Sequence, residues 1–185
     1  MLTIVYAFNF IDRQILVILQ EPIKADMGLS DAQLGLLTGF SLALVYDTAG
    51  IPIADWADRG NRRNIVSLAL AVWSGMTALS GFVQNYAQLL LARVGVGIGE
   101  AGGSPPAHSM ISDYFPPERR GTALSIYSMG IYIGILIGFA LGGVIAQSFG
   151  WRTAFLVVGI PGVLFAVVLR LTVKEPRRGR WDNLD

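Results

Sequence analysis

Six apolar runs separated by short polar connectors organise this chain: Leu2 to Gln20, Asp31 to Ala54, Asn64 to Val83, Tyr86 to Ser109, Pro117 to Phe149 and Trp151 to Val173. A helix needs about 20 apolar residues to cross a hydrocarbon core of about 30 Å, and each run offers a stretch of that order. A lipid-facing barrel strand alternates polar and apolar residues, whereas these runs are apolar on nearly every face. All six are therefore predicted to be helices. The first run carries Asp12 and Arg13, lacks a basic leader and precedes no small-residue cleavage site. It reads as a span rather than a signal peptide, so the chain is expected to begin inside a mature sequence.

Composition agrees with lipid as the solvent. The 185 residues are 53% hydrophobic and only 15% charged, and the mean hydropathy is +0.54, outside the range of soluble globular domains. Cysteine is absent, which removes disulfides and thiol chemistry. The formal net charge is only +1, but its placement is uneven. Arg59, Arg62 and Arg63 follow the second run, Arg119 and Arg120 follow the fourth, and Lys174, Arg177, Arg178 and Arg180 follow the sixth. Only Lys24 and Arg152 sit on the other side. Positive charge stays in the cytoplasm, so the even-numbered connectors and both ends of the chain are predicted to lie there. The fold class expected is an all-α membrane protein. Residues 1–173 form a six-helix transmembrane domain and 174–185 begin a basic cytoplasmic linker.

Local signals mark the ends of these helices. Ser30 followed by Gln33 has the pattern of a capping box, which predicts a helix start at Asp31. Pro116 and Pro117 predict the start of the fifth span, because proline is tolerated in a first turn but not inside a helix. Gly130, Gly134, Gly138 and Gly142 recur every four residues and form a stripe where another helix approaches closely. Gly97, Gly99 and Gly102 match a dinucleotide fingerprint in spacing alone. That motif needs a preceding strand and a βαβ unit, whereas these glycines lie inside one apolar run beside Gly95 and Gly103. They read as small residues that thin a membrane helix.

Chemistry concentrates in the charges these runs retain. An ionised side chain at mid-bilayer costs about 2.5 to 3.5 kcal/mol on insertion scales, so such groups face a cavity or each other. Here they are Asp12, Arg13, Asp47, Arg93 and Glu100. Asn9, Asp12 and Arg13 gather on one side of the first helix. Arg93 and Glu100, two turns apart, share a face of the fourth. Burial and a neighbouring guanidinium pull on a carboxylate in opposite directions, which can set it to titrate near physiological pH. Asp12 and Glu100 are expected to take up and release a proton. Arg13 and Arg93, with Asn9, are expected to bind an anionic substrate group, since guanidinium binds carboxylate or phosphate with two hydrogen bonds. A static ion-pair network pinning helices one and four is the competing explanation. Asp47 has no partner in its own helix and could titrate, line the cavity or be an unusual substitution. His108, near the end of the fourth run, is left out of the mechanism.

The connectors carry motifs of one family. Ala54, Asp58, Arg59, Asn61, Arg62 and Arg63 resemble the loop between helices two and three of the major facilitator superfamily, with alanine and asparagine where glycine is usual. Arg93, Gly97 and Gly99 resemble its helix-four motif, and Pro117 to Gly121 the loop before helix five. Gly150, Trp151 and Arg152 resemble the start of its helix six. Asn9, Asp12, Arg13, Asn61 and Glu100 further resemble the Spinster-like branch. The resemblance covers essentially the whole chain and implies the N-terminal half of that fold, two inverted three-helix repeats with helices one and four lining the cavity.

It implies a proton-coupled carrier working by alternating access, in which Asp12, Arg13, Arg93 and Glu100 fall at the central coupling positions. The substrate class implied is an amphipathic anionic lipid, such as a lysophospholipid or sphingosine phosphate. Small organic anions such as sugar acids are the alternative. Asp58, Arg59, Arg62 and Arg63 fall on the cytoplasmic gate, and Asp113 would complete a charge network with Arg59 or Arg62. Asp55 fits no family position and adds negative charge there. The partners expected are the bilayer, the substrate and a second six-helix half, supplied by the same full-length chain, another chain or a second copy. No nucleic acid, metal or organic cofactor is expected, the proton being the coupling ion. The location expected is a bacterial inner membrane, crossed several times. A channel would need a continuous polar pore face, and a non-transporting lipid-binding module would lack proton dependence. An enzyme would need a nucleophile and base or metal ligands, which the sequence does not offer.

Overall fold

The computed structural model describes residues 1–181, without the side chains of 40–44, so the last four residues of the expected linker lie outside the described residues. The elements are α1 (Leu2–Met27), α2 (Asp31–Gly35), a π-helical turn (Leu36–Phe40), α3 (Ser41–Arg59), α4 (Arg62–Ser80), α5 (Tyr86–Ala101), α6 (Ser104–Tyr114), α7 (Pro117–Phe149) and α8 (Trp151–Thr172). No strand occurs among the described residues.

Helix ends follow local chemistry. Helix α1 runs through Gln20 to Met27 and stops at Gly28, whose φ of 64° only glycine adopts cheaply. The Ser30–Gln33 capping box is formed in both directions, with Ser30 Oγ accepting from the Gln33 amide and Gln33 Oε1 from the Ser30 amide. Asn61 caps α4 by accepting from the Asn64 amide at 2.9 Å, so this helix starts two residues earlier than its apolar run. Pro117 occupies the first turn of α7.

Two expected spans are not single α-helices. The second passes from α2 through the π-helical turn into α3 and continues to Arg59 rather than Ala54. The fourth breaks at Gly102 and Gly103, where two glycines precede Ser104, Pro105 and Pro106 and the prolines cannot donate to the preceding turn.

Helix α7 lies along α1, and α4 lies between α5 and α8. Glycine makes both contacts close. A β-carbon at Gly130 or Gly134 would stand 2.5 Å from the carbonyl oxygen of Thr3 or Ala7 on α1. One at Gly99 would stand 2.7 Å from the Trp73 backbone nitrogen on α4, and one at Gly159 of α8 2.4 Å from that of Ala78. The apolar interior comprises Ile11, Ile15, Leu19 and Ile23 with Leu89, Phe155 and Val158, and Val5, Leu70 and Trp73 with Val96, Met110 and Leu169.

Large apolar side chains cover much of the exterior, while several charged ones lie inside. Tyr132 is 75% exposed, Leu136 70% and Leu171 78%, while Asp12, Arg93 and Glu100 are 1–2% exposed. That inverted arrangement suits a lipid solvent. Helices α1, α7 and α8 are each long and apolar enough to cross a membrane.

Candidate functional site

Helix α1 brings Asp12 and Arg13 against α5, where Arg93 and Glu100 share a face two turns apart. The four charges pair crosswise. Arg13 Nη2 lies 2.8 Å from Glu100 Oε2, and Arg13 Nε donates to the same oxygen at 3.0 Å. Arg93 Nη2 lies 3.8 Å from Asp12 Oδ1. Glu100 is fully buried, whereas the Arg13 side chain is 37% exposed and reaches outward between Phe10 and Tyr46, its guanidinium carbon 5.6 Å from each ring centre. The Arg93 guanidinium rests 5.1 Å from the ring of Phe155 on α8.

A cavity of about 210 Å³ opens beside these charges, lined by Asp12, Arg13, Arg93 and Glu100 together with Gln14 and Thr38. Thr38 comes from the π-helical turn. Three buried polar atoms here lack a hydrogen-bond partner among the described residues: Asp12 Oδ2, Arg93 Nε and Glu100 Oε1. Each unpaired atom carries a desolvation cost: a proton or a donor would relieve either carboxylate oxygen, and a water molecule or another acceptor would relieve the Arg93 Nε–H. Asn9 is buried one turn before Asp12, but takes no part in these bonds.

The sequence reading missed two residues of the site. Thr77 and Ser80 on α4 are fully buried, and both hydroxyls accept from Arg93 Nη2, at 3.2 and 3.3 Å. Thr77 also donates to Asp12 Oδ1 at 2.5 Å. Their signal was the recurrence of hydroxyls along the run, Ser67, Ser74, Thr77 and Ser80, all of them buried.

A second network closes the end of the molecule where the basic connectors lie. Arg62, at the start of α4 and 1% exposed, donates to Glu175 Oε1 at 2.8 Å, Ser109 Oγ at 2.8 Å, Asp113 Oδ2 at 2.5 Å and the Pro176 carbonyl at 3.0 Å. Burial opposes its charge, but the hydrogen bonds to Glu175 and Asp113 outweigh that and hold its proton above the ordinary arginine range. Asp113 is thus joined to Arg62 and not to Arg59, which instead makes an exposed i,i+4 pair with Asp55 at 3.0 Å. Asp58 is exposed at the end of α3 and outside this network. Arg63 contributes its backbone amide, which donates to Glu175 Oε2 at 2.8 Å, and its side chain reaches Asn64 and the Val173 carbonyl.

The stretch after α8 is not a free linker. Glu175 joins Arg62, Arg178 donates to the carbonyls of Ala57 and Gly60 at 2.6 Å, and Trp181 donates to the Asp113 carbonyl at 3.1 Å. At the other end of the bundle Asp26 accepts from Arg152 at 2.7 Å and from Trp151 at 3.3 Å. This gives the Trp151–Arg152 motif a structural task.

A helical bundle with an apolar exterior and paired charges beside a cavity fits an integral membrane protein of the transporter class. The family profile described as Major Facilitator Superfamily matches residues 2–185, and the chain belongs to that superfamily, whose members are transporters and not enzymes. A crystal structure of a bacterial homologue of the human lysosomal transporter Spinster, inward-facing and occupied, matches with a TM-score of 0.93 and 45% identity over 98% of this chain and 44% of that one. An MFS-type efflux pump of Mycolicibacterium smegmatis is 42% identical over 93% of this chain and 40% of its own length. A probable L-galactonate transporter of Escherichia coli is 33% identical over 86% and 35%. The sphingosine-1-phosphate transporter SPNS2 of Danio rerio is 31% identical over 95% and 35%. The chain thus resembles Spinster-type proteins and spans 35–40% of the length of these curated relatives.

Proposed function

We propose that this chain is the N-terminal, six-span half of a proton-coupled carrier that moves an amphipathic anionic lipid by alternating access. Helices α1, α4, α7 and α8, with the composite helices α2–α3 and α5–α6, form two inverted three-helix repeats, with both termini in the cytoplasm of a bacterial inner membrane. A second six-helix half completes the central cavity, and no cofactor beyond the proton is needed. Residues 1–173 are the membrane domain, and residues 174–185 lead toward the second half.

The observation that carries this reading is the crossed pairing of Asp12, Arg13, Arg93 and Glu100 around one cavity, with a buried atom unpaired on three of the four. Protonation of Glu100 or Asp12 weakens its pair and frees Arg13 or Arg93 for an anionic headgroup. Asn9, buried one turn before Asp12, is assigned with the arginines to substrate binding, and the aromatic faces of Phe10 and Tyr46 beside Arg13 favour an amphipathic ligand. At the inner end, Asp58, Arg59 and Arg63 meet the second half when the inside closes, while the buried pair Arg62 and Asp113 holds the helix ends that carry them. Asp58 is free to meet the positive end of a helix there.

A second reading, a carrier of sugar acids, is favoured by the 33% identity to the L-galactonate transporter. One experiment separates them: uptake of sphingosine-1-phosphate, a lysophospholipid and L-galactonate into proteoliposomes holding this half with its complementary half, with and without an imposed proton gradient. Gradient-driven uptake of the lipids supports the first reading. Uptake of L-galactonate alone supports the second, and uptake indifferent to the gradient removes proton coupling.

A further inference from the structure

We infer that Thr77 is a positioning residue that transmits the protonation state of Asp12 to Arg93, making α4 part of the coupling machinery. This rests on the proton-coupled reading above.

The geometry assigns the hydroxyl a single arrangement. Thr77 has one hydroxyl proton and donates it to Asp12 Oδ1 at 2.5 Å. The hydroxyl oxygen is then left to accept from Arg93 Nη2 at 3.2 Å. Arg93 and Asp12 stand 3.8 Å apart directly, beyond hydrogen-bond range, so the hydroxyl is the bonded route between them. Asp12 Oδ2 has no partner among the described residues, which leaves Thr77 as the hydrogen bond that holds the Asp12 carboxylate.

The charged groups facing Asp12 are Arg93 and Glu100 from α5 and Arg13 from its own helix, with Tyr46 of α3 over Arg13. Helix α4 contributes hydroxyls, α7 faces α1 with glycines, and α8 contributes Phe155 against Arg93.

When Asp12 gains a proton its oxygen becomes a weaker acceptor, the hydroxyl is released, and Arg93 loses both the aspartate's charge and the tether that fixes its orientation. Ser80 provides an internal comparison. Its hydroxyl is committed to the Met76 carbonyl at 2.9 Å and also accepts from Arg93 at 3.3 Å, so it anchors Arg93 without contacting Asp12.

The test measures the pH midpoint of gradient-driven sphingosine-1-phosphate uptake by the complete carrier, together with a pH titration of the carboxyl bands in infrared difference spectra without substrate. Thr77→Val preserves shape and removes the hydroxyl. The expected result is an upward shift of both midpoints by about one to two pH units, the size of one lost hydrogen bond to a charged group. Thr77→Ser is expected to restore the wild-type midpoint, and Ser80→Ala to raise the substrate KM with the midpoint in place. Should the valine variant aggregate, Thr77→Ala is the substitute and is expected to show the same shift. Unmoved midpoints in Thr77→Val or its substitute, while wild-type uptake follows pH, overturn the relay. Wild-type uptake that ignores pH overturns the proton-coupled reading instead.

Discussion

The described residues hold two buried arginine–carboxylate networks, and they are finished to different degrees. At the end that carries the basic connectors Arg62 donates to four acceptors, and both oxygens of Asp113 are occupied, one by Arg62 and one by the Gly179 amide. In the centre Asp12, Arg93 and Glu100 each keep a buried atom unpaired, and a cavity stands beside them. A completed network gains nothing from a new ligand and loses much when a member is removed, so it holds helices together. An incomplete network bears a standing desolvation cost and gains when a proton or anion arrives. That difference separates the clasp from the proposed coupling site more sharply than charge or burial does, because Arg62 and Arg93 are both 1–2% exposed.

Substitutions can break this comparison. Arg62→Ala should have the largest effect on stability, about 3 kcal/mol, because it strands Asp113 and Glu175 together in a part-buried site. A fall in the thermal unfolding midpoint of the detergent-solubilised carrier would show it. Gly134→Val should cost about 2 kcal/mol by forcing a side chain into the Ala7 carbonyl, seen by the same assay. Glu175→Gln should cost about 1 kcal/mol, since an amide oxygen still accepts from Arg62; a loss as large as that of Arg62→Ala would mean that the tail's charge, not its hydrogen bonds, holds the clasp. Arg59→Ala should leave the unfolding midpoint where it is, because its pair with Asp55 is exposed.

Much of this was legible in the chain. Charges too costly for lipid had to meet, which placed Asp12, Arg13, Arg93 and Glu100 together before any coordinate was known. The glycine stripe on α7 announced its tight contact with α1, and Ser30, Pro117 and Gly150 marked helix ends where they occur. Which arginine takes which carboxylate was not readable, because the crosswise pairing depends on the rotation of α1 against α5. Thr77 and Ser80 escaped notice because hydroxyls are common in membrane helices, where most bond their own backbone. The contacts of residues 174–181 escaped because a basic stretch reads as an orientation signal, although it also carries the acidic Glu175. The break at Gly102 was masked by reading those glycines solely as packing.

The difference between a finished clasp and an unfinished centre is tested most directly by Glu100→Gln in the complete carrier, followed through the pH dependence of uptake in proteoliposomes. The glutamine keeps the side chain's shape and cannot ionise. Uptake that becomes flat across pH, with the unfolding midpoint close to the wild type, is the result expected of a proton-accepting site. A wild-type pH profile in this variant would show that Glu100 does not carry the coupling proton.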